Sequence, residues 1–289
     1  MSITGTGTID DPYVVTTWDE LAEKAALGSS SAPVYVKLGN DINALDEYPD
    51  GDIPKITLAA NVDGDGRTIR NIYSTQVTTG GIFSITSGSL SNVKLKNIYS
   101  YQPVFYSANS ITSSRRTAVQ DCEISGVCHN YFYSAGDNCA AFQRCSLNIS
   151  GESELTESRY PPLFLSCFIR FRSPSARMFL VNSSDSTRNQ MLDASYIEAD
   201  MPALTNLTRS SGDTDTKDTA VYIDNCVLDI KTNGEFSLGC SSGARARSIL
   251  RASHAPNVTG VANITAVDET HWLDAEYLSS IGFSIEVEE

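Results

Sequence analysis

The feature that most constrains the fold is a short motif that recurs along the chain. Four cysteines each hold the second place in a tetrapeptide that reads polar, Cys, variable, apolar: Asp121-Cys122-Glu123-Ile124, Arg144-Cys145-Ser146-Leu147, Ser166-Cys167-Phe168-Ile169 and Asn225-Cys226-Val227-Leu228. The pattern continues at Asn92-Val93-Lys94-Leu95, at Asn257-Val258-Thr259 and, less closely, at Asp193-Ala194-Ser195-Tyr196, with Ala194 in the second place. Steps of 22 to 32 residues separate the second places, a period typical of solenoids.

Two further repeats follow the same period. Asn71-Ile72-Tyr73-Ser74 recurs 26 residues later as Asn97-Ile98-Tyr99-Ser100. A second strand-like element lies between the anchors, at Gly81-Ile82-Phe83-Ser84, Val104-Phe105-Tyr106-Ser107, Tyr131-Phe132-Tyr133-Ser134 and Met178-Phe179-Leu180-Val181. No amphipathic helical segment separates these strands, and a propeller blade needs about 40–45 residues.

The repeat therefore predicts an all-β fold, a single-stranded right-handed parallel β-helix of about eight coils between residues 33 and 265. The alternative is an ordinary β-sandwich, whose strands also recur every ~8–12 residues. The shared register of the cysteines and the duplicated Asn-Ile-Tyr-Ser segment favour the β-helix.

The cysteines are predicted to be structural. Equivalent positions of successive coils stack about 4.8 Å apart, so Cys122, Cys145, Cys167 and Cys226 should form an inward ladder. The chain has seven cysteines, no Cys-x-x-Cys pair and only three histidines. We therefore expect free thiols, since a small buried thiol packs like a hydrophobic group, and we expect neither a metal site nor a cofactor.

The two ends of the chain are predicted to cover the open ends of the β-helix. Residues 1–32 are assigned to an N-terminal lead and a capping helix, and residues 266–289 to a C-terminal cap. Thr17 and Glu20 match the N-cap and N3 places of a capping box. The helix places Trp18, Leu21 and Ala25 on one face, which suits a lid over the first coil.

Charge and hydropathy exclude several classes of protein. The formal net charge of −14 argues against nucleic-acid binding, which needs a basic surplus. No apolar run reaches the ~20 residues of a membrane-spanning helix. The segment Met1–Gly5 also lacks the basic and apolar start of a signal peptide.

Both ends of the sequence resemble right-handed β-helix proteins of bacteriophage particles and related bacterial adhesins. The resemblance lies in Gly5-Thr6-Gly7-Thr8, in the segment from Asp11 to Leu21 and in the segment from Asp274 to Phe283. It implies a virion component such as a tail fibre, receptor-binding protein, head fibre or decoration protein, assembled in the host cytoplasm. It also implies a homo-oligomer, with a trimer favoured, that contacts other virion proteins, and it offers a host surface glycan as a further partner.

No catalytic residues are assigned from the sequence. Pectin-type β-helix hydrolases carry an Asp-Asp pair and a Gly-His-Gly in mid-chain, and here the only Asp-Asp is Asp10-Asp11 in the lead. We therefore expect a non-enzymatic protein. A polysaccharide-degrading lyase or hydrolase and a bacterial surface adhesin remain the alternatives.

A cluster of aromatic residues is the candidate binding patch. Two adjacent coils carry Tyr99, Tyr101, Tyr106, Tyr131 and Tyr133. Alternate residues of a strand point to opposite faces, so an inward Phe132 would turn Tyr131 and Tyr133 outward. Such a patch suits contact with a subunit or partner, or stacking on a glycan, and it can also be incidental surface.

Overall fold

The protein is described by a computed structural model. It covers residues 3–75, 80–107, 116–135, 140–158, 162–181, 190–210, 222–224, 226–234, 236, 248–252, 264–266, 276 and 280. Within these residues, short strands and two short helices make up the regular structure.

The elements follow in chain order. The first are β1 (Tyr13–Val15), α1 (Trp18–Ala25), β2 (Tyr35–Leu38), β3 (Ile42–Asn43), α2 (Ala44–Glu47), β4 (Ile56–Leu58), β5 (Asn61–Asp63), β6 (Thr68–Ser74), β7 (Phe83–Ile85), β8 (Ser89–Ser91) and β9 (Lys94–Ser100). Next come β10 (Phe105–Ser107), β11 (Arg116–Gln120), β12 (Glu123–Cys128), β13 (Tyr133–Ala135), β14 (Ala140–Gln143), β15 (Ser146–Gly151), β16 (Thr156–Ser158), β17 (Leu163–Leu165) and β18 (Phe168–Arg172). The last are β19 (Arg177–Val181), β20 (Gln190–Asp193), β21 (Tyr196–Asp200), β22 (Asn206–Ser210), β23 (Tyr222–Asp224), β24 (Val227–Lys231), β25 (Ser248–Ala252) and β26 (Ile264–Ala266).

These strands form three parallel sheets that wind into a β-solenoid, which confirms the predicted fold class. The nine-stranded sheet has the order β1-β2-β5-β8-β11-β14-β17-β20-β23, and the seven-stranded sheet has the order β22-β19-β16-β13-β10-β7-β4. The ten-stranded sheet has the order β26-β25-β24-β21-β18-β15-β12-β9-β6-β3. A complete turn contributes one strand to each of the three sheets. The smallest sheet, with seven strands, therefore limits the number of complete turns among the described residues, and this number is slightly below the predicted eight.

The corner between the nine-stranded and ten-stranded sheets explains the recurring motif. The residue before each ladder position has a left-handed backbone: φ is 51° at Asn92, 54° at Asp121, 51° at Arg144, 52° at Ser166 and 47° at Ala194. Asn and Asp tolerate this conformation better than other non-glycine residues. Asn92 and Asp121 suit this bend, whereas Arg144, Ser166 and Ala194 adopt it against their intrinsic preference. The second place of the motif turns inward.

The inward cysteine ladder is confirmed. Cys122, Cys145, Cys167 and Cys226 are buried free thiols. The sulfur of Cys145 donates to the carbonyl of Gln143 at 3.3 Å, and the other two described corners of this kind repeat the bond at 3.1 and 3.4 Å. The thiols thus pack in the core while their S–H groups bond to the backbone.

One copy of the motif was aligned one residue too early. Phe168 pairs with Tyr196, so Ser195 is the residue equivalent to Cys167 and Ala194 holds the left-handed place. The Ser195 hydroxyl donates to the carbonyl of Asp193 at 2.9 Å, as the thiols do to their own corners. The copy at residues 257–259 lies outside the described residues.

A column of aromatic rings fills the interior along the solenoid axis. Ring centroids are 5.3 Å apart for Phe83 and Phe105, 5.5 Å for Phe105 and Phe142, 5.2 Å for Phe142 and Phe164, and 6.4 Å for Phe164 and Phe179. Three of these phenylalanines come from the second repeated element, whose strands lie in the seven-stranded sheet. The column continues to the first cap, because Trp18 lies 6.0 Å from Phe83.

The duplicated Asn-Ile-Tyr-Ser segment is also in register. Tyr73 pairs with Tyr99 between β6 and β9. The asparagines that precede them by two residues have a left-handed backbone and form a ladder on the outside: Asn97 Nδ2 donates to Asn71 Oδ1 at 2.6 Å, and Asn71 Nδ2 donates to Asn43 Oδ1 at 2.8 Å. This ladder fixes the bend in the long strands of the ten-stranded sheet.

The N-terminal helix covers the first turn as predicted. Thr17 is its N-cap and accepts from Glu20 N at 3.2 Å, while Glu20 Oε2 accepts from Thr16 N at 2.7 Å. Glu47 of α2 accepts from the backbone N–H groups of Trp18 and Asp19 at 2.6 and 3.1 Å, so the first turn also caps the helix.

The segment before this helix joins the solenoid directly, because β1 pairs with β2 in the nine-stranded sheet. Of the proposed C-terminal cap, the structure describes only Ala266, Glu276 and Ser280, and the prediction of a cap there stays open. No helix in the described part of the chain has the length and hydropathy of a membrane span.

Replacing Phe142 by Ala tests the aromatic column. Phe142 is fully buried, so we expect Phe142→Ala to lower the free energy of unfolding by about 3–5 kcal/mol. Phe168→Ala is the matched control, since Phe168 is 38% exposed on the outer face and should lose only about 1 kcal/mol. Urea denaturation followed by circular dichroism measures both. Equal losses for the two variants would contradict the column's role.

Replacing Ala194 by Gly tests the left-handed corner. An alanine at φ 47° carries a steric penalty of about 1 kcal/mol that glycine lacks. Ala194→Gly should therefore raise the free energy of unfolding, whereas Ala199→Gly, within β21, should lower it. A destabilised Ala194→Gly variant would contradict the assignment.

Candidate functional site

The outer face of the ten-stranded sheet carries the most conspicuous surface feature. Five large hydrophobic side chains are exposed among the described residues, and Tyr101, Val127 and Phe168 all belong to this sheet or its edge. The other two, Ile9 and Leu27, lie near the N-terminal cap. Exposed apolar groups gathered on one face often mark contact surfaces.

At one edge of this face, four rings form what we call the aromatic platform: Tyr73, Tyr99, Tyr101 and His129. Tyr73 stacks on Tyr99 with centroids 6.0 Å apart, and Tyr101 stacks on His129 at 4.3 Å with the rings nearly parallel. Tyr99 meets Tyr101 and His129 edge-on at 5.7 and 4.9 Å. The rings support one another, so the platform is an ordered surface.

Strand register explains how the platform is built. The bend at the Asn ladder puts Tyr73 and Tyr99 outward on neighbouring strands. Tyr101 and His129 follow directly after β9 and β12, where His129 N donates to Ser100 O at 2.8 Å. The edge of the platform is thus set by the ends of two paired strands.

The platform has a polar side. The hydroxyls of Tyr99 and Tyr101 lie 3.3 Å apart within hydrogen-bond range, and this bond raises the pKa of Tyr99, so its phenol is neutral at physiological pH. His129 Nδ1 lies 3.2 Å from Glu152 Oε1, whose side chain is largely exposed. Rings edged by a carboxylate can stack on a sugar or pack against a protein partner.

The structure divides the predicted tyrosine patch. Tyr99 and Tyr101 lie together on the platform. Tyr106 lies on the outside of the seven-stranded sheet, where it pairs in register with Ser84 and Ser134. Tyr131 is half-buried, and burial with the nearby carboxylates of Glu154 and Glu157 raises its pKa to about 12.

The prediction for Tyr133 is wrong. Its side chain is fully buried, its ring contacts Phe142 at 5.7 Å, and its hydroxyl accepts from Ala140 N at 3.1 Å. Phe132 is buried as well. The alternation rule fails because β13 begins at Tyr133, so Phe132 belongs to the corner before the strand. Alternation does not apply across that boundary, and the side chains of both residues point inward.

Sequence reasoning missed two members of the platform. The duplicated segment could have identified Tyr73, because Tyr73 holds the same place in it as Tyr99. No such signal marks His129, since no repeat relates it to the other rings.

A second aromatic pair lies farther along the same face. Phe168 stacks on Tyr196 at 5.3 Å, and the Arg170 guanidinium lies 5.7 Å from the Phe168 centroid. Arg170 also donates to Glu198 Oε2 at 2.9 and 2.8 Å, which lowers the pKa of Glu198. Aromatic surface and paired charges therefore continue beyond the platform.

At the opposite end of the same strands, the corner forms an open cleft of about 580 Å³. Its charged lining consists of Asp65, Lys94, Asp121, Glu123 and Arg144. Arg144 donates to both carboxylate oxygens of Asp121 at 2.6 and 2.7 Å. Charges of both signs on neighbouring turns thus line this corner cleft.

The electrostatics of the corner cleft bear on the enzymatic alternative. Hydrolysis of a glycosidic bond needs one carboxyl with a raised pKa as the acid and a second carboxylate about 5–9.5 Å away. The hydrogen bonds from Arg144 lower the pKa of Asp121, and Glu123 is paired with Lys96. The pKa of Asp121 is thus lowered, whereas a general acid requires a raised pKa.

No group of three or more His, Cys, Asp or Glu within the described ranges is arranged to hold a metal ion. No family model, curated protein or solved structure matched this chain. The function is therefore argued from the geometry of this face.

Replacing Asp121 by Asn tests the ion pair of the corner cleft. Because the folded-state pKa of Asp121 is lowered, its contribution to stability is present above the unfolded pKa near 4 and is lost as the pH falls through the folded pKa. Asp121→Asn should remove that part of the acid sensitivity, by no more than about 1 kcal/mol because both partners are partly exposed.

Urea denaturation between pH 2 and pH 7 measures the effect. Asp41→Asn is a comparison at an exposed carboxylate elsewhere on the surface. Unchanged acid sensitivity in Asp121→Asn would contradict the assigned role.

Proposed function

We propose that the protein is a non-enzymatic structural or receptor-binding component of a bacteriophage virion. In this proposal, a rigid β-solenoid presents the outer face of its ten-stranded sheet to a partner. The observation that carries it is the aromatic platform, four mutually packed rings on the outer face of this sheet.

The architecture supports a scaffold. Stacked turns bury a continuous core in which each turn contacts its neighbours, and this geometry gives an extended surface of fixed shape. The sequence resemblance at residues 5–8, 11–21 and 274–283 supports the assignment to a phage particle, where the protein would be a tail fibre, head fibre or decoration protein.

The composition of the face supports protein contact first. Tyr, Phe and Arg are enriched at protein interfaces, and this face carries Tyr101 after the end of β9 and Phe168 with Arg170 in β18. We propose a homo-oligomer, with a trimer favoured, or a seat on a neighbouring virion protein. A host surface glycan is the other proposed partner, since exposed tyrosines stack on sugar rings.

The corner cleft supports a second candidate, a polysaccharide-degrading enzyme. Asp65, Asp121 and Glu123 bring three carboxylates to one cavity from two turns that a third turn separates. Glu123→Gln should abolish any release of reducing ends or unsaturated sugars from a capsular polysaccharide. The ion pairs of Asp121 and Glu123 make this the weaker candidate.

Purified particles provide the test. Mass spectrometry of particles from the producing culture should detect the protein, and electron microscopy with a specific antibody should place it on the tail or the head. Its absence from particles, combined with activity on a polysaccharide, would overturn the proposal.

The platform itself is tested by Tyr101→Ser. We expect about a tenfold loss of oligomer formation or particle incorporation, measured by light scattering and by quantitative mass spectrometry, because an aromatic hot spot is worth roughly 1–2 kcal/mol or more. Tyr106→Ser, on the seven-stranded sheet, is the matched control and should behave as wild type. Equal behaviour of the two variants would remove the platform from the proposal.

A further inference from the structure

Three cysteines hold the same place in three consecutive turns. Strands β12, β15 and β18 begin one residue after Cys122, Cys145 and Cys167, and they pair in register. Neighbouring Cα atoms of this ladder are therefore one strand spacing apart, about 4.8 Å. That spacing falls within the roughly 4.4–6.8 Å that a disulfide spans.

The sulfur atoms of the three residues are directed along the ladder. Each of the three thiols lies beside the carbonyl oxygen of the residue two places before it, at 3.1 Å for Cys122, 3.3 Å for Cys145 and 3.4 Å for Cys167. Each sulfur also contacts a carbonyl oxygen of the preceding turn, at 3.8 Å for Cys122 and Leu90, 3.6 Å for Cys145 and Val119, and 3.3 Å for Cys167 and Phe142. Every thiol thus leans toward the turn before it, and for Cys145 and Cys167 that turn carries the preceding cysteine of the ladder.

The fourth ladder cysteine, Cys226, has serine rather than cysteine at the neighbouring ladder positions. Val227 pairs with Tyr196 on one side and with Ile249 on the other. The ladder positions next to Cys226 are therefore Ser195 and Ser248. Cys226 is as buried as the other three and serves as an internal control at the same place of the motif.

We propose that Cys145 is a site of oxidative cross-linking, which forms a disulfide with either Cys122 or Cys167. The oxidant is a small diazene. The Cys145 thiolate adds to its N=N bond, and the neighbouring thiolate then attacks the Cys145 sulfur and expels the reduced hydrazine. Two S–H bonds break and one S–S bond forms, while the two protons and two electrons end on the hydrazine.

The middle position makes Cys145 the reactive member. The two flanking thiols lower the pKa of Cys145, whereas the neighbouring Cys145 thiol together with burial raises the pKa of both Cys122 and Cys167. The thiolate is the nucleophile in such reactions. Because the three side chains are only 2–3% exposed, the reaction proceeds through local opening of the corner.

The geometry allows one bridge per chain in this ladder, and that bridge always contains Cys145. Once formed, it ties two successive turns together. Those turns can then no longer separate, so unfolding in urea should become about tenfold slower and should return to its original rate after reduction.

The experiment uses the folded full-length protein. It is treated with diamide, denatured in N-ethylmaleimide to block the remaining thiols, digested, and mapped by mass spectrometry. We expect Cys122–Cys145 or Cys145–Cys167 bridges, with Cys226 and Cys128 alkylated. The map also covers Cys139 and Cys240, which lie outside the described residues.

Single serine variants sharpen the outcome. Cys145→Ser should form no ladder bridge, and Cys226→Ser should react as wild type. Serine is compatible with this place, because Ser195 holds it in the next turn after Cys167. Cys122→Ser should yield only the Cys145–Cys167 bridge, and Cys167→Ser only the Cys122–Cys145 bridge, so the proposal stays testable if Cys145→Ser folds poorly.

Two results would overturn the proposal. One is complete alkylation of Cys122, Cys145 and Cys167 after oxidation of the wild-type protein. The other is a bridge between Cys122 and Cys167 in the Cys145→Ser variant, since these two positions are not neighbours in the ladder.

Discussion

The left-handed corner between the nine-stranded and ten-stranded sheets is the constraint on which the remaining structure depends. At five successive corners one residue takes a φ of 47–54°, at a cost of about 1–2 kcal/mol where it is not Asn, Asp or Gly. The next residue then points into the core and the following strand starts in register. Backbone hydrogen bonds along the ten-stranded sheet offset that cost. The register is fixed as well, because a slip of one residue would turn every inward side chain of a strand outward.

The same corner sets the electrostatics of the surface. Charged side chains of neighbouring turns come within ion-pair distance, as in Asp121 with Arg144 and Lys37 with Asp65. Each exposed pair contributes less than about 1 kcal/mol. Their placement nevertheless favours correct register, because a shifted turn would place charges beside unmatched neighbours. The aromatic platform lies at the other end of the same strands, where strand ends rather than corners decide which groups meet.

Much of the fold was predictable from the sequence because each turn of a solenoid needs similar residue types at equivalent positions. The cysteine motif gave the inward ladder, and the Asn-Ile-Tyr-Ser duplication gave the pairing of β6 with β9. The register failed by one residue at Ser195, since Ala194 replaces the polar residue that marks the corner elsewhere. Repetition in sequence is informative only where the repeating residue types are retained.

The candidate site was less predictable for a physical reason. Tyr99 was identified within a repeated segment, but Tyr133 was misplaced because strand alternation does not extend across a corner. His129 joins the platform by following the end of β12, a position that no periodic pattern marks. Contacts made by the ends of strands depend on where each strand stops, and a single sequence gives that boundary poorly.

The N-terminal cap implies an order of assembly. Helix α1 has its first backbone N–H groups bonded to Glu47, and Trp18 packs on Phe83. A growing chain therefore cannot complete the contacts of this helix until Phe83 has left the ribosome. Until then the nascent solenoid keeps an uncovered end to which another chain could add.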